Sequence, residues 1–337
     1  MATIDTLLDW IEIDSVTGGE GDYGEALAER LASLGFGVER QVVEPGRFNV
    51  LARADEPVVV FCTHLDTVPP WFGARNEGKV VHGRGACDAK GPALAMIEAA
   101  RRLVDSGERR IGFLFTVGEE TDGVGAQFAD QHLTEPWAPR YTIVGEPTDN
   151  AFVRGGKGVY KCKLHAKGVA GHSSQPVGPS AIHELVGVIH RLLSDEWGDH
   201  EVFGAGTINF GEIEGGLAAN VVAPSASATL LVRAVELPGT VEARIRKHLG
   251  EHVELEASKS YGPVEFVVPD GGDGPVVAFG TDAPFLGRWG EPLLYGPGSI
   301  RDAHTSHEQL SEASFERAVA DYERVARQLL DRADAGR

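Results

Sequence analysis

Apolar residues recur at helical spacing at the start of the chain, where Ile4, Leu7, Leu8 and Ile11 share one face. The spacing predicts a helix that ends before the turn Thr17-Gly18-Gly19. A second helix is predicted over about 23–34, with Gly35 as its C-terminal stop. Three short apolar runs follow at Pro57–Cys62, Ile111–Val117 and Tyr141–Val144. Runs of this length without polar alternation read as strands buried on both faces. Between the first two, residues 92–104 predict a helix, with Pro92 in its first turn and Gly107 just past its end. Buried strands alternating with helices predict an α/β fold with a mainly parallel sheet.

From Val159 the texture changes to strict alternation, through VYKCKLHAKG. A helix is predicted over 181–193, then alternating strands over 207–213, 226–235 and 252–257. This reads as an α+β domain inserted into the first, and no internal repeat or low-complexity tract interrupts it. Gly155, Gly156, Gly158 and the segment Ser260-Tyr261-Gly262-Pro263 mark its borders. The expected division is 1–157 with 261–337, and 158–260 between them. A last helix is predicted over 310–330, with Phe315, Val319, Tyr322, Val325 and Leu329 on one face.

The length of 337 residues agrees with about two domains. The formal charge is −19, which argues against partners that are nucleic acids or anionic membranes. No run of about 18 apolar residues occurs, so no membrane span is expected. Residues 1–14 lack a basic start and have acidic residues among their apolar positions, unlike a signal peptide. Cys62, Cys87 and Cys162 are too few and too scattered for a disulfide framework or a Cys-x-x-Cys zinc site. The expectation is a soluble, acidic, cytoplasmic protein.

Each apolar run leads into acids or a histidine. The first reaches His64-Leu65-Asp66, the second Glu119-Glu120 and the third Gly145-Glu146. Ligands of open α/β sheets bind beyond the carboxyl ends of the strands, so these side chains are aimed at one cleft. Asp88 lies in the Gly-rich stretch GRGACDAKG, and His304 follows the turn Gly296-Pro297-Gly298. Any one acid in so acidic a chain reads as a solvated surface group; five side chains at the ends of buried strands do not. Clustered carboxylates repel one another unless cations neutralise them, and imidazole with carboxylate suits zinc or a similar divalent ion. A two-metal hydrolytic site needs such a set, with one bridging carboxylate, a histidine and an acid for each ion, and a spare carboxylate as base.

The same residues carry a resemblance. His64-Leu65-Asp66-Thr67-Val68-Pro69, Gly83-Arg84-Gly85 with Asp88-Ala89-Lys90-Gly91, Gly118-Glu119-Glu120 and Gly145-Glu146-Pro147-Thr148 follow one another in order. Gly171-His172-Ser173-Ser174 and the stretch from Ala303-His304 to Glu308 come later. Over nearly the whole chain this resembles the family of acetylornithine deacetylase, succinyl-diaminopimelate desuccinylase, aminoacylase and related zinc carboxypeptidases. DAKGP with a late GPGSI…AH is most similar to the acetylornithine and acetyl-lysine deacetylase branch.

The resemblance implies a zinc-hydrolase catalytic domain and an inserted lid domain that dimerises. It implies two divalent metal ions, zinc with cobalt as the alternative: His64 and Glu146 on one, Glu120 and His304 on the other, Asp88 between them. Asp66 is expected to orient His64 by accepting its other ring proton. Glu119 is expected to act as general base, and His172 to donate to the developing oxyanion, in relatives commonly from the partner subunit of a homodimer. Asn220 matches a substrate-contacting lid position.

The implied reaction is removal of an N-acyl group from an amino acid such as acetylornithine or acetyl-lysine, in amino-acid biosynthesis. The alternative is a dipeptidase or carboxypeptidase on the same scaffold, and a third reading is a binding protein that keeps the fold without catalysis. Lys157, Lys161, Lys163 and Lys167 read as a solvated strand face, or else as a patch for a carboxylate substrate or an acidic amino-group carrier protein. The stretch 70–81 is shorter than in many relatives, which trims one wall of the expected cleft. His82 reads as a loop histidine and Cys62 and Cys87 as packing residues; His307 is the competitor of His304. A phosphate loop fails because Lys90 and Gly91 stand in the wrong order, and Gly171-His172-Ser173-Ser174-Gln175 lacks the second glycine of a nucleophile elbow.

Overall fold

The computed structural model describes residues 4–175 and 177–335. They form two compact units. The first comprises Met1–Arg154, Phe266–Pro275 and Thr281–Arg337; the second comprises Gly155–Glu265 and Val276–Gly280.

The first unit is built on a six-stranded sheet in the order Gly37–Glu44, Arg47–Arg53, Ile111–Thr116, Val59–His64, Tyr141–Val144, Glu291–Leu294. The last four run parallel, so their carboxyl ends share one edge; the first two form an antiparallel hairpin on the other flank. The fold is thus α/β with a mixed sheet, parallel over the part that carries the expected site residues. Every residue of Val59–His64, Ile111–Thr116 and Tyr141–Val144 is buried, as continuous apolar runs require. Full burial of Phe61 or Phe113 is worth about 1.5–3 kcal/mol each, and both faces are covered.

The helix Lys90–Asp105 packs against the terminal helix Glu312–Ala335. The latter buries Phe315, Val319, Tyr322, Val325 and Leu329. Tyr322 meets the Phe61 ring edge-on at 5.7 Å, and its hydroxyl donates to the Tyr295 carbonyl at 2.8 Å. This helix begins at Glu312 because the Ser311 hydroxyl accepts the Ser314 N–H at 3.2 Å, an N-terminal cap. Leu310, expected inside it, lies in the short strand Gln309–Ser311, which pairs with Val80–His82. The second helix, Gly21–Ser33, is followed by Gly35 at φ 84°, the left-handed stop expected there.

The second unit is α+β. Its antiparallel sheet has the order Thr207–Gly215, Ser225–Ala234, Gly158–Lys167, Val253–Tyr261. Helices Ala181–Leu193 and Pro238–His248 share a core with it, contributing Leu185, Val188, Val241 and Ile245 to the inward residues Cys162, Leu164 and Leu230. The units part at Gly155 and Glu265 rather than at the expected 158 and 260. Gly155-Gly156 pairs with Val264–Glu265 and with Val276–Val277, which keeps these stretches in the second unit. Among the described residues, no helix is long and apolar enough to cross a membrane.

Candidate metal centre

His64 ends its strand with its side chain 1% exposed. Its Nδ1 lies 2.9 Å from the Asp66 backbone carbonyl and 3.6 Å from the Asp66 carboxylate, so the carbonyl makes the closer contact. The fully buried Asp66 carboxylate accepts the Thr17 hydroxyl at 2.8 Å and the N–H groups of Glu119 and Glu120, each at 3.1 Å. It therefore ties the end of one strand to the turn that follows its neighbour. Burial opposes the charge, but His64, Thr17 and the Glu120 N–H hold this carboxyl below its ordinary range.

The ring's other nitrogen, Nε2, lies 3.0 Å from Oδ1 of Asp88. The second oxygen of Asp88 lies 3.1 Å from Nε2 of His304, which is also 2.9 Å from Oε2 of Glu120. One carboxylate thus faces an imidazole with each of its oxygens. His64, Asp88 and Glu120 each offer a donor atom within 4.8 Å of the other two. Imidazole and carboxylate donors this close are the chemistry of a zinc-type divalent site, so the residues present fit such ions. His304 takes φ 62°, a conformation uncommon for non-glycine residues, and its side chain is half-exposed.

The electrostatics are those of too many acids in one place. Burial raises the carboxyls of Glu119 and Glu146 well above their ordinary range, and neighbouring acids add to it. Glu120 is raised in the same way, chiefly by burial and then by Asp88. His304 is raised to about 10 by its contacts with Asp88 and Glu120. Asp88 is held well below its usual value by the two histidines, against its burial. Glu146, 5% exposed after Val144-Gly145, interacts electrostatically with His64, Glu119, Asp88 and Glu120.

His172 and Asn220 belong to the second unit, where they are neighbours. His172 pairs with Val221, and the Ser173 N–H donates to the Asn220 carbonyl at 3.0 Å. The Ser174 N–H donates to His172 Nδ1 at 3.2 Å. With Nδ1 an acceptor, the neutral ring carries its proton on Nε2. Along the lysine-rich strand, Lys167 bonds Glu254 at 2.6 Å, His165 lies 2.7 Å from Glu256 and Lys157 donates to the Ala205 carbonyl.

Of the residues set aside in the sequence, Cys62 and Cys87 are buried free thiols, and burial raises both. His82 ends a strand, not a loop. His307 is exposed, its N–H on the Thr305 hydroxyl. Asp282 and Glu308 are among the buried acids that had no assigned role. Asp282, 2% exposed, accepts the Thr116 hydroxyl at 2.5 Å and repels Glu119. No periodicity marks Thr281-Asp282, so only the tertiary structure reveals it. Glu308 could have been found from its fixed distance to His304.

A sequence profile described as peptidase family M20/M25/M40 matches residues 60–328. A peptidase M20 domain-containing protein of Schizosaccharomyces pombe is 36% identical over 330 residues, 94% of this chain and 82% of the relative. A protein of Paracoccidioides brasiliensis named "Probable carboxypeptidase" is 36% identical over 365 residues, with 93% and 82% covered. The solved structure of an M20 family metallo-carboxypeptidase from Sulfolobus solfataricus matches with TM-score 0.78 at 18% identity, over 97% of this chain and 98% of that one. These names are peptidase names, not the acetylornithine or acetyl-lysine deacetylase names that the motif pairing led one to expect.

Proposed function

The chain belongs to peptidase family M20/M25/M40, and from that premise we propose that it is a two-metal peptidase that cleaves short peptides, as a carboxypeptidase or dipeptidase. Amide-bond hydrolysis is the chemistry of the family. The carboxypeptidase name of the Paracoccidioides relative supports the peptide substrate. The observation that carries the two-metal reading is the Asp88 carboxylate, with one oxygen toward His64 and the other toward His304.

In this proposal His64 and Glu146 would hold one ion, Glu120 and His304 would hold the other, and Asp88 would serve both. When bound, two divalent cations, zinc with cobalt as a substitute, supply Lewis acidity to the scissile carbonyl and acidify water. Glu119 takes the water's proton on its carboxylate and delivers it to the leaving amine nitrogen. Asp66 keeps Glu119 and Glu120 in place through their N–H groups and His64 through its carbonyl. His172 donates its Nε2 proton to the carbonyl oxygen as negative charge develops there, and Asn220 contacts the substrate.

The first unit is the catalytic domain and the second a lid that forms a homodimer. Ile182, Val186 and Ile213, exposed around a groove of about 220 Å³, support the dimer. Lys167, ion-paired with Glu254, and Lys157, bonded to the Ala205 carbonyl, give no support to an acidic carrier protein. Three buried free thiols support the cytoplasm. Deacylation of N-acyl amino acids remains the second reading, favoured by the DAKGP and GPGSI pairing. A kinetic panel of dipeptides, longer peptides and N-acyl amino acids, run with chelator and with added zinc or cobalt, tests both. Metal-dependent release of C-terminal residues is the expected result. Turnover of N-acyl amino acids alone establishes the second reading, and no turnover with or without metal refutes both.

A further inference from the structure

The geometry points to Glu308 as the positioning residue of the Asp88 loop, an inference that rests on the metal reading above. Glu308 is fully buried, four residues after His304. Its Oε1 accepts the N–H groups of Gly85 at 3.0 Å and of Cys87 and Asp88 at 3.1 Å. Its Oε2 accepts the Arg84 guanidinium at 2.6 Å, and its backbone carbonyl accepts the Gly83 N–H at 3.1 Å. Every residue from Gly83 to Asp88 except Ala86 therefore donates to this one glutamate.

Charge-assisted hydrogen bonds converging on one carboxylate fix the backbone they come from. The last N–H in the series belongs to Asp88, whose side chain meets His64 and His304. His304 itself lies on the segment that carries Glu308. The distance between Asp88 and His304 is thus set by protein contacts, independently of any ion. Arg84, 2% exposed, balances the charge, donates from Nε to the Pro70 carbonyl at 3.3 Å and lies over the Phe72 ring. Well-packed apolar residues often stabilise as much as a buried ion pair, so stability alone does not account for this one. Glu308 acts through the N–H of Asp88, as a group outside the donor set that orients a ligand.

Two double variants of the full chain test this. Arg84→Met with Glu308→Gln removes both charges but leaves an amide oxygen for the N–H groups. Arg84→Met with Glu308→Leu removes the charges and the acceptor together. Cobalt(II) titration, followed by visible absorption and by the binding isotherm, is read after circular dichroism has established folding. The glutamine variant is expected within about threefold of wild-type affinity, and the leucine variant about 10–100-fold weaker with a shifted visible band. Equal affinities in the two variants overturn the inference alone. A wild type that takes up no cobalt overturns the metal reading and this inference with it. Hydrogen exchange on the metal-free wild type needs no variant: the amides of Gly85, Cys87 and Asp88 are expected to be protected, and rapid exchange overturns the proposal.

Discussion

Glu119→Gln separates proton transfer from metal binding. The Glu119 backbone N–H donates to Asp66 Oδ1, so the peptide stays anchored whatever its side chain carries. The amide has nearly the shape of the carboxyl but accepts no proton at neutral pH. Losing a general base costs about 10²–10⁴ in rate, or roughly 3–5 kcal/mol in the barrier. Stability should move the other way. Burial, Asp282, Glu120 and Asp66 raise the Glu119 carboxyl well above 4.5. A carboxyl raised in the folded state loses stability as pH rises from the unfolded value through the folded one. The metal-free variant, lacking that ionisation, should melt no lower than wild type at pH 7 and show a flatter pH profile. The assay joins steady-state hydrolysis, metal analysis and thermal melting. A kcat within tenfold of wild type, or a loss of bound metal, refutes Glu119 as the base.

Two further outcomes are expected. Because contacts with Asp88 and Glu120 raise His304 to about 10, its imidazolium must lose a proton before the nitrogen can ligate an ion. Zinc or cobalt affinity should therefore rise with pH between roughly 6 and 9, by up to about tenfold per unit for each proton released. Calorimetry in buffers of different ionisation enthalpy measures the release, and a pH-independent affinity contradicts it. His172→Ala should lower kcat by about 10²–10³ as the loss of one oxyanion donor, with metal content unchanged. A variant that emptied of metal would show that the histidine serves another purpose.

Much of this architecture is determined by local pattern. The runs at 57–62, 111–117 and 141–144 are buried strands because their apolar residues leave no face for water, and the acids and histidines at their ends follow from chain direction. The hairpin Gly37–Glu44 and Arg47–Arg53 leaves no clear period in the sequence because its outer strand is exposed, with Glu39, Arg40 and Gln41 interrupting the apolar pattern. Its signal was the Pro45-Gly46 turn, with Gly46 at φ 79°. The helix at Pro238–His248 carries too weak an apolar stripe to be legible in the sequence, since it buries only Val241 and Ile245.

The sequence by itself determined the buried strands Val59–His64, Ile111–Thr116 and Tyr141–Val144 and marked the acids and histidines near their ends as candidates for the chemistry. Tertiary structure alone decided that Asp88 turns one oxygen to His64 and the other to His304, that the Asp66 carbonyl makes the closer contact with His64, and that Glu308 holds a loop 220 positions before it. Periodicity is a property of neighbouring residues and survives in a linear string. The partner of a buried polar atom depends on how distant segments close on one another, and no local pattern records that.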